Sequence, residues 1–237
     1  MVGDPSTVRN KPLAILVYGK QMTRLPILHS VLAATLLVAT TAAAEETPTG
    51  AAELAVSDAQ AAKAEAFIRT KHNKVRAVLR KPDTPKRAEE LTALLGEFLD
   101  YQRLSELSLD TEWNKRSKKE LDQFVSLLRQ LVERQYQRNM ESTLEYKVKW
   151  VGSEPVENGI KVKSSARSIK KKRQPPITID YSMSPAGDEW KVFDIFTDDV
   201  SLVKNYKRQF RRVIRDEGWD GLIERMEKKL NATDELI

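Results

Sequence analysis

The spacing of apolar residues changes at Leu144, and this change limits the fold more than any other feature of the sequence. Before Leu144, apolar residues recur at the helical spacing of three and four. After it they alternate with polar residues, as Tyr146, Val148 and Trp150 do with the lysines between them. The sequence therefore predicts helices followed by a half-buried antiparallel sheet, which is an α+β layout.

Capping signals divide the helical part. Ser57 and Gln60 form a capping-box pattern, so order is expected to begin near Ser57 and the first helix to continue until Pro82. Thr84 as the cap and Pro85 in the first turn predict a second helix.

Two more helical segments are predicted before the sheet. A short one carries Tyr101, Leu104 and Leu107. A second capping box, Ser117-Lys-Lys-Glu120, opens a long amphipathic helix whose apolar side chains fall on one stripe.

Four strands are predicted after the switch, near residues 146–150, 160–163, 177–183 and 190–196. The pair Asn158-Gly159 predicts a turn between the first two strands. After the fourth, the chain is expected to turn at Asp198 and Asp199 straight into a helix that stops at Gly218. The expected fold is N-terminal helices packed on a curved four-stranded antiparallel sheet, followed by C-terminal helices.

The start of the chain has the pattern of a secretory signal peptide over residues 1–44. Basic Arg24 precedes an apolar run that ends in small residues at Ala44, and a start at Met22 gives a charged segment of ordinary length. A retained membrane anchor is the alternative interpretation. We expect cleavage after Ala44, a flexible lead over 45–56, one domain over 57–237, and a periplasmic, secreted protein.

Charge and cysteine content narrow the class further. The whole chain has 40 basic and 34 acidic residues, and residues 1–44 hold four of the former and one of the latter, so 36 minus 33 leaves +3. This small excess does not predict a nucleic-acid partner. Because the chain has no cysteine, disulfides, thiolate catalysis and a lipoprotein anchor are excluded.

No catalytic or metal-binding residues are predicted. His72 is the only histidine after residue 44, and its charged neighbours favour a surface helix position over a catalytic one. Asp198 and Asp199 are interpreted as helix caps rather than as an acid/base pair. Asp194 lies between apolar residues, and the sequence leaves open whether it is buried and bonded to backbone or to Lys191, or faces water.

Two surfaces have alternative interpretations. The basic cluster fits either transient contact with an anionic membrane or an acidic partner, or a solvated hairpin rim. It comprises Lys161, Lys163, Arg167, Lys170, Lys171, Lys172 and Arg173. The apolar faces of helices and sheet fit either a packed core or a cavity between them.

The segment from Glu189 to Ile223 resembles the MlaC family of periplasmic phospholipid carriers, also called toluene-tolerance proteins. The matching motifs are Trp190-Lys-Val192 with Asp194, then Val200-Ser-Leu-Val203 with Asn205-Tyr206, then Gln209-Phe210, Gly218 and 220–223. Upstream, Ser108-Leu109 with Trp113 and the helix from Ser117 to Phe124 is also similar. Asp110 and Asp199 stand where the family usually has Gly.

The resemblance implies a non-enzymatic phospholipid shuttle between an outer-membrane lipoprotein/porin complex and an inner-membrane ABC transporter complex, which would maintain outer-membrane lipid asymmetry. Phospholipid would be its cargo, and no cofactor is implied. The fold would enclose an apolar pocket. The implied lining is Phe98, Leu104, Trp113, Phe124, Leu128, Tyr136, Tyr146, Val148, Trp150, Ile177, Ile179, Tyr181, Val192, Phe193, Leu202, Val203, Tyr206 and Phe210. A protein-binding adaptor with a closed core on the same scaffold is the alternative.

Overall fold

The computed structural model describes residues 49–156 and 158–231, and the side chains of 49–57 and 138–140 are not included in this description. The predicted signal peptide, the start at Met22 and residues 45–48 of the predicted lead lie outside the described residues, as do 232–237.

Five helices are present in the described residues. They are α1 (Thr49–Leu79), α2 (Pro85–Phe98), α3 (Tyr101–Leu109), α4 (Lys118–Asn139) and α5 (Leu202–Asn231). Two 3₁₀ segments, Asp110–Lys115 and Met140–Glu145, precede α4 and the sheet. Gly218 interrupts α5 with a φ of 77°, which confirms the predicted glycine stop and second helical piece.

The start of α1 differs from the prediction. The helix begins at Thr49, so Ser57 and Gln60 lie inside it and do not cap it, and residues 49–56 of the predicted flexible lead are helical. Ala51, Ala52 and their neighbours are good helix formers, and they extend the helix past the local capping signal.

The predicted caps of α2 and α4 are confirmed. Thr84 Oγ1 accepts a hydrogen bond from the backbone N–H of Arg87 at 3.2 Å, with Pro85 at the first helical position. The backbone N–H of Ser117 donates to Glu120 Oε2 at 2.8 Å, and the N–H of Glu120 donates back to Ser117 Oγ at 3.4 Å. These local bonds fix where α2 and α4 begin.

The sheet has five strands in the described residues rather than the four predicted. They are β1 (Tyr146–Val156), β2 (Gly159–Ser168), β3 (Ile177–Ala186), β4 (Glu189–Thr197) and β5 (Val200–Ser201), all antiparallel and in sequence order. At the predicted turn Asn158-Gly159, a Cβ on Gly159 would lie 1.9 Å from the carbonyl oxygen of Met183. Only glycine fits there.

The residues predicted as helix caps form a hairpin turn instead. Thr197 pairs with Val200, and both residues between them have positive φ, 46° at Asp198 and 64° at Asp199. A two-residue loop with two positive φ angles matches the twist of antiparallel strands. The assignment of Asp198 and Asp199 as caps of α5 was therefore wrong, because the chain makes one more strand, β5, before the helix begins.

Two bulges interrupt the sheet. The register shifts between Trp150 and Gly152 in β1, and again where β4 passes Ser182 and Met183 of β3. The second shift leaves Phe193 unpaired between Val192 and Asp194. Bulges bend a strand and re-aim its side chains.

The core lies between the sheet and the helices. α1 packs on β1 and β2, while α2, α3 and α5 contact β4, and α4 packs against α5. Phe124 of α4 is fully buried against Phe210 and Trp219 of α5, with ring centroids 5.3 and 5.8 Å away. The α+β prediction, with helices on an antiparallel sheet, is confirmed at this level.

Candidate functional site

A small apolar cavity lies between the helices and strands β3 and β4. It is lined by Phe98, Leu99, Leu104, Val132, Tyr136, Tyr181, Val192, Phe193, Asp194, Ile195 and Leu202. Asp194 is the one charged residue in this lining, so nearly all of the wall is apolar or aromatic. Such a wall suits an apolar guest held by burial rather than by specific hydrogen bonds.

The cavity is almost closed in this conformation. Its volume is about 30 Å³, which is room for about one or two water molecules. Pockets that enclose small ligands are typically about 300–1,000 Å³. The cavity therefore has the position expected of the pocket, but it does not have the size.

The junction between α2 and α3 attaches to the sheet beside the cavity. Leu99 makes an isolated parallel bridge with Val192, and the backbone N–H of Asp100 donates to the carbonyl of Val192 at 2.8 Å. Asp100 Oδ1 then caps α3 by accepting from the N–H of Arg103 at 2.9 Å. Phe98, Leu99 and Leu104, all on the cavity, are held by this short connection.

The bulge in β4 shapes the opposite wall. Phe193, the unpaired residue, and its neighbour Val192 both line the cavity, which strict alternation would not allow. The guanidinium of Arg103 lies 4.0 Å from the centroid of the Phe193 ring, a cation–π contact that covers the ring.

Asp194 secures the first turn of α5. Its Oδ2 accepts from the Ser201 hydroxyl at 2.5 Å, and its Oδ1 accepts from the N–H groups of Val203 at 3.0 Å and Ile195 at 2.8 Å. Ser201 Oγ accepts in turn from the N–H of Lys204 at 3.0 Å. Burial raises the pKa of Asp194, while these hydrogen bonds act in the opposite direction.

The open question about Asp194 is thereby resolved. The side chain is 7% exposed and bonds to backbone and to Ser201, not to Lys191. Lys191 Nζ instead donates to the carbonyls of Gly96 at 3.1 Å and Glu97 at 2.7 Å, at the end of α2. Asp194 thus has a structural role in capping α5.

Tyrosines supply the hydroxyl groups of the lining. Burial raises the pKa values of Tyr136 and Tyr181, so both phenols stay protonated at neutral pH. Near them, the Tyr101 hydroxyl donates to Glu133 Oε1 at 3.3 Å, and Arg129 Nε donates to the same oxygen at 2.8 Å. The wall therefore carries neutral phenols, and the nearby ion pair lies outside the lining.

Seven of the eighteen predicted lining residues are brought to the cavity: Phe98, Leu104, Tyr136, Tyr181, Val192, Phe193 and Leu202. The other eleven pack in the core around it. Of these, Phe124, Leu128, Tyr146, Ile179, Val203 and Phe210 are buried, and Trp113, Val148, Trp150, Ile177 and Tyr206 are partly buried against them.

A model of the MlaC family, described as MlaC protein, matches residues 69–228. The chain belongs to the MlaC family. The matched range contains every residue of the cavity lining and all five strands. The resemblance carried by the motifs between Glu189 and Ile223 is confirmed.

A solved structure has the same fold as this MlaC-family chain. It is the phospholipid-binding protein from Ralstonia solanacearum, determined in complex with a phospholipid. The two chains are 20% identical and superpose with a TM-score of 0.61, over 71% of this chain and 97% of the other. No curated protein sequence gives a significant match.

The two departures from the family's glycines occur at positions of positive φ. Asp110 has a φ of 55° and Asp199 a φ of 64°, a region that glycine enters without steric cost. Asp110 is also paired, with Lys207 Nζ at 2.9 Å and Arg211 at 3.1 Å from its Oδ2. Local backbone geometry therefore explains why the family uses Gly there.

Four residues of the lining were missed: Leu99, Val132, Asp194 and Ile195. Val132 lies on the predicted stripe of α4, so its burial was predicted but its place at the cavity was not. Leu99 lies between two helices, where no periodicity applies. Asp194 and Ile195 directly follow the bulge at Phe193, which has no sequence signal.

His72 is not the surface residue that its neighbours suggested. It is half-buried, and its ring meets Trp150 edge-on with centroids 5.8 Å apart. Burial, and secondarily the charge of Arg76, lower its pKa to about 4. His72 is therefore neutral at physiological pH and acts as a packing residue.

The predicted basic cluster is partly neutralised by the fold. Lys163 pairs with Glu154 at 2.6 Å and Lys170 with Glu145 at 2.5 Å. Lys161 Nζ lies 3.9 Å from the ring centroid of Phe196. The remaining exposed charges include Lys171, Lys172 and Arg173 in the loop after β2.

Searches for metal and membrane features were limited to the described residues. Within them, no group of three or more His, Asp or Glu side chains is arranged to hold a metal ion. In the same part of the chain, no helix combines the length and the apolar character needed to cross a membrane.

Proposed function

We propose that this protein binds a phospholipid non-covalently and carries it through water. An acyl chain of the lipid occupies the cavity between β3, β4 and the helices. The supporting observation is the apolar wall of that cavity in a chain of the MlaC family. The solved neighbour with this fold holds a phospholipid, which supports the same cargo here.

The free energy of burial is sufficient for such a carrier. Each methylene removed from water contributes about 0.8 kcal/mol, so about a dozen methylenes contribute on the order of 10 kcal/mol. Part of this favourable free energy offsets the cost of opening the cavity. No covalent chemistry is required, and the cavity's one carboxylate, Asp194, is already engaged by three hydrogen-bond donors.

Loading requires the cavity to widen, because about 30 Å³ cannot hold an acyl chain. The helix-side wall can move at the α2–α3 junction, which is joined to β4 by an isolated bridge between Leu99 and Val192 and by the side chain of Lys191 rather than by a ladder. The β-sheet side is braced by the antiparallel ladders that join β2, β3 and β4, with one bulge at Phe193. We infer that the helices move outward while the sheet stays in place.

We further propose that the protein works in the periplasm and exchanges lipid with an outer-membrane lipoprotein/porin complex and an inner-membrane ABC transporter complex. The sequence pattern of residues 1–44 motivates the location, and family membership motivates the partners. A tagged chain should be released from cells by osmotic shock, and deletion of 1–44 should retain it in the cytoplasm. If the full chain and the deletion variant were found in the same cell fraction, the proposed location would be contradicted.

The decisive experiment is native mass spectrometry of the purified protein, with fragmentation of any bound species, together with uptake of fluorescent phospholipid from vesicles. We expect a co-purified phospholipid and saturable uptake. Neither bound lipid nor uptake would contradict the carrier function.

A protein-binding adaptor with a closed core is the second candidate, and the small volume of the cavity favours it. It predicts that the purified protein has the mass of the chain alone. It also predicts a partner in pull-downs that is lost when Lys170 to Arg173 are reversed in charge. The same mass spectrum therefore separates the two candidates.

A further inference from the structure

The outer surface of α5 carries a row of positive side chains that the proposed cargo site does not use. Lys204, Lys207, Arg208, Arg211, Arg212 and Arg215 line one open groove of about 390 Å³. We call this set the α5 cationic face. Its members recur at helical spacing of three and four, so they lie on one side of the helix over about 16 Å.

This face is opposite the buried side of α5. Leu202 and Phe210 are buried, whereas Lys204, Arg208 and Arg212 are exposed. At about 100° per residue, the cations centre on the side of the helix away from the core. They are therefore available to a partner in solution.

Two carboxylates offset only part of the charge on this face. Asp110 pairs with Lys207 and Arg211, and Asp216 pairs with Arg215 at 2.8 Å. Asp216 also lies 4.0 Å from Arg212. Six cations against two carboxylates leave an excess of four positive charges along the groove.

Two of the six have no carboxylate partner in the described part of the chain. Arg208 donates to the side-chain oxygen of Asn205 at 3.1 Å, and Lys204 forms no ion pair there. Like charges on neighbouring turns repel one another. An external anion would relieve this repulsion.

The composition of the face favours an extended anionic surface over a protein or a single-stranded nucleic acid. Protein interfaces are centred on aromatic or apolar anchors, and single-stranded nucleic acid requires aromatic stacking platforms. The groove is lined by six flexible cations and by no aromatic or apolar residue. Lipid phosphates on a bilayer suit such a surface, because they offer many mobile charges and no fixed shape.

The face also begins beside the cavity. Leu202 lines the cavity and Lys204 opens the cationic row, so both lie within the first turn of α5. We propose that the α5 cationic face docks on the surface of a bilayer containing anionic phospholipid, placing the first turn of α5, whose buried Leu202 lines the cavity, near the lipid. The functional role of this docking rests on the proposed carrier function, but binding to the bilayer itself requires no cargo.

Vesicle co-sedimentation tests this proposal. Phosphatidylcholine vesicles with and without phosphatidylglycerol are compared at low and high salt. We expect wild-type binding only with phosphatidylglycerol and its loss at high salt. The triple variant K204E/R208E/R212E should bind at least about tenfold more weakly, since each basic residue near an anionic surface contributes to affinity.

A matched control carries the same change of charge elsewhere. K171E/K172E/R173E alters three exposed residues of the loop after β2, and we expect it to bind within about threefold of the wild type. If the triple variant does not fold, the milder double variant K204Q/R208Q replaces it. We expect this variant to lose part of the vesicle binding. Cargo measured on the same samples by native mass spectrometry should be unchanged.

Three results would overturn the proposal: no binding of the wild type to phosphatidylglycerol vesicles, undiminished binding of the α5 variants, or equal losses in the α5 and loop variants. Capture of an acidic protein or a nucleic acid by a wild type that does not bind vesicles would also overturn the proposal. Absence of cargo together with normal, α5-dependent vesicle binding would contradict the carrier function and leave the docking surface in place.

Discussion

The Oδ2 atom of Asp194 lies 2.5 Å from the hydroxyl oxygen of Ser201, and this hydrogen bond joins the bulged strand β4 to the start of α5. Leu202, the next residue, lines the cavity. One carboxylate thus satisfies the free backbone N–H groups at a helix start and fixes a wall of the candidate site.

Replacement of Asp194 by Asn should lower the free energy of unfolding by about 1–3 kcal/mol, because an amide cannot accept from all three donors in place of the carboxylate. Urea unfolding at neutral pH measures the change. Asp188→Asn, in the exposed turn before β4, is the control and should stay within about 0.5 kcal/mol. Equal effects of the two substitutions would contradict the capping role.

His72 should make stability depend on pH. Its pKa is about 4 in the folded protein, against an ordinary value of 6.5. Because the unfolded chain binds the proton more readily in this window, the free energy of unfolding is expected to fall as pH decreases from 6.5 to 4, by at most about 1.4 kcal/mol per pH unit.

The substitution His72→Phe should keep a ring against Trp150 and remove this contribution. Urea midpoints for both proteins between pH 7 and pH 4.5 provide the comparison. The difference between them should grow towards acid pH, in favour of the variant. Parallel pH profiles would show that His72 titrates normally.

Asp199 lies at a φ of 64°. Burial raises the pKa of Asp180, and the charge of Asp199 acts in the same direction to a smaller extent. Asp199→Gly should therefore raise the free energy of unfolding by up to about 1 kcal/mol, since it removes both the strained conformation and the like charge. Asp199→Ala removes the charge and keeps the positive φ, so it should be less stable than the Gly variant by about 1 kcal/mol. Thermal melts measure the order of stability. A higher melting temperature for Asp199→Ala than for Asp199→Gly would contradict this account.

Substitutions that add volume should distinguish residues that line the cavity from residues of the surrounding core. Val192 lines the cavity, whereas Val148 is partly buried in β1 outside it. Both residues belong to the lining that the resemblance implied, and on that basis Trp at either position would block lipid uptake. The structure restricts the prediction to Val192→Trp, with Val148→Trp as the matched control.

Fluorescent lipid uptake, normalised to the folded fraction from a melting curve, is the measurement for this pair. We expect loss of most uptake in Val192→Trp and near-normal uptake in Val148→Trp. If Val192→Trp does not fold, Val192→Phe is the smaller addition. Normal loading of a folded Val192 variant would mean that the acyl chain binds elsewhere.

Sequence patterns predicted those features that depend on local interactions. The capping box of Ser117 and Glu120 and the turn at Asn158-Gly159 are set by residues close in sequence. The turn at Asp198 and Asp199 was misassigned because Val200 and Ser201 form a strand only through pairing with Thr197 and Phe196. A two-residue strand has no periodicity of its own.

The cavity lining depended on strand register, which the linear sequence does not show, whereas the cationic face required only a helical projection of the charges. The bulge at Phe193 follows from the register between β3 and β4, so strict alternation could not place Phe193 and Val192 on the same cavity. The cations of α5 form no continuous run, and they become one surface only when plotted at helical spacing. Plotting charge as well as hydrophobicity on the helix would have found them.

The single bridge between Leu99 and Val192 gives the cavity a spectroscopic reporter. The N–H of Asp100 is protected by one hydrogen bond to the carbonyl of Val192, outside the sheet ladders and at the place where we propose that the wall opens. Its deuterium exchange would follow local opening rather than global unfolding. The exchange rate of this one amide would thus measure how often the wall of the cavity opens in the absence of a ligand.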